Sequence, residues 1–229
     1  MKSEVADMFL KPQIVASLAA VGDVLPASDA DMIEVRLDLV KGDPFEVLSA
    51  VRKATEKPII ATNRLQAEGG KWQGTEEERI SILIEAAKLA DWVDIELRAR
   101  MREQALEKVK KPVIVSYHDF AGMPSRIQLR TILDEMLSTG AAISKIAVTP
   151  SSMKDNLAIL EFLLEADTPL CTIAMGPMGR HLRAVAPLYG SVMTYGYVSR
   201  PTAPGQMSIS ELRQALRLLG PEIQNQNDE

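Results

Sequence analysis

Apolar runs rich in β-branched residues alternate with helical patterns along the whole of this 229-residue chain. The runs fall at 13–19, 32–39, 58–64, 92–98, 112–119, 143–149, 169–175 and 191–198, and each predicts a strand. Between them, apolar residues recurring every three to four positions predict helices near 43–54, 75–90, 100–109, 124–139, 152–165 and 208–219. Short helices are expected around 22–30 and 179–187. Lys57-Pro58, Lys111-Pro112 and Thr168-Pro169 open three of the strands, a position where proline's missing amide hydrogen is tolerated. Strands joined by crossovers pair in parallel, and eight of them close naturally into a barrel. The expected architecture is α/β, a (β/α)8 TIM barrel. No Gly/Ser-rich linker interrupts the pattern, so residues 1–229 are expected to form a single domain.

Alternation within the strands separates two faces. Ile33, Val35, Leu37 and Leu39 alternate with Glu34, Arg36 and Asp38, and Val93, Ile95 and Leu97 with Asp94, Glu96 and Arg98. In a barrel wrapped by helices, the apolar set faces the helices and the polar set turns inward. The same count directs Arg64, His118, Lys145 and Tyr195 into the barrel. Charges near the C-terminal ends of barrel strands mark an active site. The competing reading is a purely structural ion-pair network among Glu34, Arg36, Asp38 and Glu96.

Composition narrows the function. Net charge is −5, from 26 basic and 31 acidic residues with no basic block, which argues against nucleic-acid or anionic-membrane partners. The single Cys171 rules out an internal disulfide and a multi-cysteine metal site, and it fits a reducing compartment. Ile14 to Val21 is too short to span a bilayer and reads as a buried first strand rather than a signal-peptide core. A cytoplasmic protein is expected.

Lys145 is the most informative single residue. An ammonium within Ile143-Ser144-Lys145-Ile146-Ala147-Val148 is expensive to bury unless it is paired or discharged. A desolvated lysine is an amine nucleophile suited to Schiff-base chemistry on a ketone, whereas a lysine that snorkels to the rim does nothing of the kind. His118 ends another apolar strand, in a chain with only two histidines, and so supplies a candidate acid and base.

Six motifs then fall in order on these strands. They are Ile33-Glu34-Val35-Arg36-Leu37-Asp38, Arg64-x-x-x-Glu68-Gly69-Gly70, Ser116-Tyr117-His118-Asp119-Phe120, Ser144-Lys145-Ile146-Ala147, Met175 with Arg183 eight residues on, and Ala203-Pro204-Gly205-Gln206-Met207-Ser208. With them the chain resembles type I 3-dehydroquinate dehydratase, the Schiff-base enzyme of the shikimate pathway. The resemblance implies dehydration of 3-dehydroquinate to 3-dehydroshikimate, with no metal or other cofactor. Lys145 would form the imine, His118 would move the protons, and Glu68 would orient His118. Arg183 would clamp the substrate carboxylate, while Ser17, Glu34, Arg36, Arg64, Thr202 and Gln206 would bind the rest of the ring. Met175 and Tyr195 would line the pocket, and since the family contains dimers a homodimer is expected.

The chain departs from the family at Thr202, where serine is usual, and at Tyr195, where phenylalanine is common. The loop from Gly176 to Leu182 lacks the usual serine before Arg183, and its His181 reads as a surface residue. Two rivals stay open on residues alone. One is a class I aldolase with a phosphate loop at Gly176 to Arg180, and the other is a barrel that senses a small acid.

Overall fold

Capping residues at the edges of the helical patterns set where the helices begin. Asp43 accepts from the Phe45 amide and opens α1 (Pro44–Ala54) with proline at its first position. Reciprocal capping boxes, Thr75 with Glu78, Ser125 with Gln128, Ser152 with Asp155 and Ser208 with Glu211, open four others. In chain order the helices are α1, α2 (Glu76–Ala86), α3 (Arg102–Lys108), α4 (Arg126–Ser138), α5 (Met153–Leu164), α6 (Leu182–Val185) and α7 (Ile209–Leu219). The computed structural model describes residues 11–25, 27–201 and 205–220.

The strands are β1 (Gln13–Leu18), β2 (Met32–Arg36), β3 (Ile59–Thr62), β4 (Trp92–Glu96), β5 (Val113–Asp119), β6 (Ile143–Val148), β7 (Leu170–Ala174), β8 (Met193–Tyr197) and β9 (Met207–Ser208). All pair in parallel, in the order β7-β6-β5-β4-β3-β2-β1-β8-β9. The result is the (β/α)8, TIM-barrel-like architecture. Its seam lies between β7 and β8, where the Val192 amide donates to the Leu170 carbonyl at 3.0 Å. Ser191 Oγ then stands in for a backbone group, accepting from the Thr172 amide at 3.1 Å and donating to the Met193 carbonyl at 2.9 Å. Further along, the short β9 takes the free edge of β8 at Gly196 and Tyr197.

Inward positions change character every second residue. Val15, Met32, Ile60, Trp92, Ile114, Ile143, Cys171 and Met193 form an apolar plug at the N-terminal end. Two residues further along each strand come Ser17, Glu34, Thr62, Asp94, Ser116, Lys145, Ile173 and Tyr195, all of them buried. Outward residues such as Val35, Ile95, Val115 and Ile146 pack against Leu83, Leu133 and Leu163 of the helices in a separate core. The plug supports the polar ring from below and keeps it at the C-terminal mouth.

Several expectations need correction. β2 stops at Arg36 and the chain turns into a 3-10 helix at Leu37–Leu39, so Asp38 is folded back toward Arg36 instead of continuing the alternation. β4 stops at Glu96, and Arg98 lies outside the barrel in an ion pair with Glu135 at 2.6 Å. The expected helix around 22–30 is a single 3-10 turn at Val21–Asp23. The segment 179–187 is the short α6, running on into a 3-10 turn at Ala186–Tyr189. The two-residue β9 has no counterpart in the pattern reading. Among the described residues no helix is long and apolar enough to cross a membrane.

Candidate active site

β6 carries Lys145 into the centre of the polar ring, with 4% of its surface exposed. Its Nζ lies 3.0 Å from Asp94 Oδ2 on β4 and 3.9 Å from Glu34 Oε1 on β2, so its charge is paired. It also sits over the face of the Tyr195 ring, 4.1 Å from the centroid. Glu34 is held by hydroxyls on both neighbouring strands, Ser17 Oγ at 2.5 Å and Thr62 Oγ1 at 2.9 Å. Burial opposes the charge of Asp94, yet Arg64 and Lys145 draw its carboxyl far below the usual carboxylate range.

Arg64, just past β3, ties the ring together. It contacts Asp94 at 2.9 Å, Glu96 at 3.0 Å and Ser116 Oγ at 2.6 Å, and the Ser116 hydroxyl donates in turn to Asp94 at 2.6 Å. Burial works against the guanidinium charge, but Asp94 and Glu96 raise its pKa above the ordinary arginine value. The second oxygen of Glu96 takes Arg79 of α2 at 2.7 Å. Three acids, Glu34, Asp94 and Glu96, thus face three bases, Arg64, Arg79 and Lys145. Arg36 pairs through two parallel bonds of 2.8 Å with Asp38, which also accepts from the amides of Arg64 and Lys71.

His118 stands on β5 beside Lys145, on the same face and one inward step further along. Its Nδ1 meets Glu68 Oε2 at 2.8 Å, and the same oxygen accepts the His118 backbone amide at 2.9 Å. This leaves Nε2 for the cavity. Glu68 reaches His118 because the chain reverses directly after it: a side chain on Gly69 would collide with the Phe120 ring, and one on Gly70 with the Arg64 carbonyl. Burial pushes Glu68 up to about 8. Burial, Arg64 and Lys145 together push His118 well below 6.5. Both partners therefore favour their uncharged forms.

The dyad has a signature in stability. Glu68 is protonated in the fold between its unfolded pKa of 4.5 and about 8, so stability falls as pH rises through that window. The shift sets an upper bound of roughly 5 kcal/mol. His118 acts oppositely: its depressed pKa removes stability as pH falls below 6.5. Glu68→Gln is expected to gain stability over the parent by a few kcal/mol at pH 9 and by little at pH 4. Urea unfolding at the two pH values checks this, and an equal difference at both would show that folding does not raise the Glu68 pKa.

At the mouth, Arg183 of α6 is buried and donates to the carbonyls of Gly205 at 3.1 Å and Tyr195 at 3.4 Å. Burial lowers its pKa to about 10. Gly205 has a φ of +69° and no room for a Cβ against the Gly176 carbonyl, so the loop before β9 presses onto the loop after β7. That contact delivers Gln206, itself buried, to the site. The cavity has a volume of about 260 Å³. Ser17, Glu34, Arg36, Arg64, Glu68, His118, Lys145, Arg183 and Gln206 all line it, as do Met175 and Tyr195. Thr202 lies outside the described residues, while His181 is exposed, as its sequence context suggests. The inward reading left three partners without a role: Asp94, Ser116 and Arg79. Among the described residues no cluster of His, Cys, Asp and Glu could hold a metal ion.

The model of the type I 3-dehydroquinase family matches residues 13–223. The chain belongs to that family. Similar relatives agree with the assignment. The 3-dehydroquinate dehydratase of Methanothrix thermoacetophila is 53% identical over 91% of this chain and 92% of its own length. That of Methanocella arvoryzae is 42% identical over 93% and 99%. Among solved structures, the 3-dehydroquinate dehydratase of Geobacillus kaustophilus superposes with a TM-score of 0.84 at 28% identity, covering 92% of this chain and 91% of that one. The type I enzyme of Clostridium difficile with covalent modified comenic acid gives 0.83 at 29%, covering 91% and 92%. Carboxyl transferase domains of a Rhizobium etli pyruvate carboxylase share only the fold, at 13% identity. As a type I 3-dehydroquinase the chain dehydrates 3-dehydroquinate, a step of the shikimate pathway toward aromatic amino acids. The aldolase and sensor readings fall away with that membership.

Proposed function

We propose that Lys145 carries out this dehydration through a Schiff base, with His118 as the acid and base. The observation that carries the reading is a buried lysine nitrogen that shares one cavity of about 260 Å³ with a histidine whose Nε2 is free to act. Nζ, once His118 has taken one of its protons, adds to the C3 ketone of 3-dehydroquinate; His118 returns that proton to the former carbonyl oxygen, which leaves as water to give an iminium. The iminium draws electrons from C2 as His118 takes the C2 proton. The C1 hydroxyl then departs as water with a proton from His118, and hydrolysis of the imine frees 3-dehydroshikimate and Lys145. A neutral imidazole suits the first proton transfer, and burial together with Arg64 keeps His118 neutral. Glu68 orients the ring and offers or withdraws its own proton.

Arg183 binds the substrate carboxylate, a role supported by its burial at the cavity mouth. Ser17, Glu34, Arg36, Arg64, Thr202 and Gln206 bind the ring and its hydroxyls. Arg183→Ala is expected to raise KM by about 10²-fold, and to leave reaction with a ketone lacking the carboxylate nearly unchanged. Equal losses for both ketones would move the clamp elsewhere, with Arg180 next in line. We also infer a cytoplasmic homodimer in which residues 1–229 form one catalytic domain. The free thiol of Cys171 fits a reducing compartment, and the dimer rests on the family resemblance. A monomeric sedimentation mass would overturn the dimer.

The Schiff base is tested by borohydride reduction in the presence of 3-dehydroquinate, followed by intact mass and peptide mapping. The adduct is expected on Lys145. An adduct on another lysine, or none during active turnover, would overturn the mechanism.

A further inference from the structure

Lys145 has two kinds of neighbour, and only one of them can serve it through the whole reaction. Asp94 at 3.0 Å and Glu34 at 3.9 Å hold an ammonium that has three N–H donors. When Nζ adds to a ketone and water leaves, the iminium keeps the positive charge but only one N–H. A carboxylate bound to that last hydrogen can take it and quench the electron sink. The Tyr195 ring faces the same nitrogen at 4.1 Å from its centroid. Its attraction to a cation comes from the electron-rich π face, needs no N–H and accepts no proton. The ring is held for this purpose: Tyr195 is 5% exposed, and it packs with Ala147, Ile173 and Met175 in the inner apolar cluster. Its hydroxyl is buried and finds no partner among the described residues, so the ring rather than the hydroxyl addresses the lysine.

We propose that Tyr195 is a positioning residue for Lys145, its ring face fixing the nitrogen and stabilising the iminium's positive charge in this cavity. Phenylalanine would serve the same end, since the π face is the working part. The hydroxyl adds a buried polar atom that the role does not require.

The proposal rests on the Schiff-base reading above, and its test separates the two. Tyr195 is replaced by phenylalanine, then by 4-fluoro- and 3,4,5-trifluorophenylalanine, which keep the shape and progressively weaken the π face. Tyr195→Phe is expected to keep kcat within about threefold, and the fluorinated series to lose kcat stepwise by about 3- to 30-fold with KM steady. The yield of borohydride adduct at a fixed short time should fall in the same order. A series that is flat in kcat while wild-type protein still forms the Lys145 adduct would overturn the role of Tyr195 and leave the mechanism standing. A loss that appears wholly at Tyr195→Phe, with no further decline on fluorination, would assign the effect to the hydroxyl and also overturn it. Absence of the wild-type adduct would remove the Schiff base itself.

Discussion

Lys145→Ala is expected to abolish both turnover and borohydride trapping while the barrel remains folded. No other lysine stands in the polar ring of the described strands; Lys71, which also lines the cavity, is exposed on the loop after β3 rather than in the ring. The loss should reach ~10⁴-fold or more, the scale seen when a covalent catalyst is removed from a cooperating set. Folding should survive because Asp94 keeps its contacts with Arg64 at 2.9 Å and Ser116 at 2.6 Å. Circular dichroism of the variant separates the cases: native spectra with residual activity near wild type would exclude the imine route.

The second large effect belongs to His118. His118→Ala should lower kcat by about 10²–10⁴-fold, and by more if one imidazole serves several steps. Slow trapping on Lys145 should persist, because the amine can still meet the ketone. Turnover and trapping thus part company in this variant and fall together in Lys145→Ala. If trapping vanished in His118→Ala as completely as in Lys145→Ala, the histidine would be needed for imine formation itself rather than chiefly for the later proton transfers.

Much of this arrangement is legible along the chain. The proline entries at Pro58, Pro112 and Pro169 and the three-to-four-residue apolar spacing bound their elements closely. Period-two alternation turned Glu34, Asp94, Glu96, His118, Lys145 and Tyr195 toward the barrel axis, where the structure has them. It failed at Asp38 and Arg98 because alternation marks a face and not a strand end. The backbone left β geometry after Arg36 and Glu96, and the polar residues beyond followed a different course.

Long-range partners were not legible at all. Asp94 looks like any interior acid until β6 brings Lys145 to it across 51 positions. Arg79 follows Glu76-Glu77-Glu78 and reads as part of a wet helix face, yet it is fully buried, held by Glu76 on its own helix and by Glu96 and the Asn63 carbonyl beneath α2. Glu68 and Gln206 lie in turns whose reach depends on glycines at 69, 70 and 205, and only the family resemblance pointed to them. At the β7–β8 seam the Ser191 hydroxyl supplements the bond from the Val192 amide to the Leu170 carbonyl, and it carries no sequence signal of its own.

The matching of three acids with three bases inside the barrel constrains how this pocket can be redesigned. Deleting Lys145 opens its place to the cavity, where water can enter. A substitution that deletes a member behind it leaves its partner charged in a place where water cannot reach it, a penalty on the order of 3–5 kcal/mol. That is a large fraction of the stability an ordinary domain has to lose. Libraries that vary Asp94, Arg64, Glu96 or Arg79 one at a time will therefore mostly return unfolded proteins, whatever their promise for a new substrate. Opposite charges recoded together, Arg64 with Asp94 or Arg79 with Glu96, keep the interior neutral, so the productive unit of variation in this pocket is the pair.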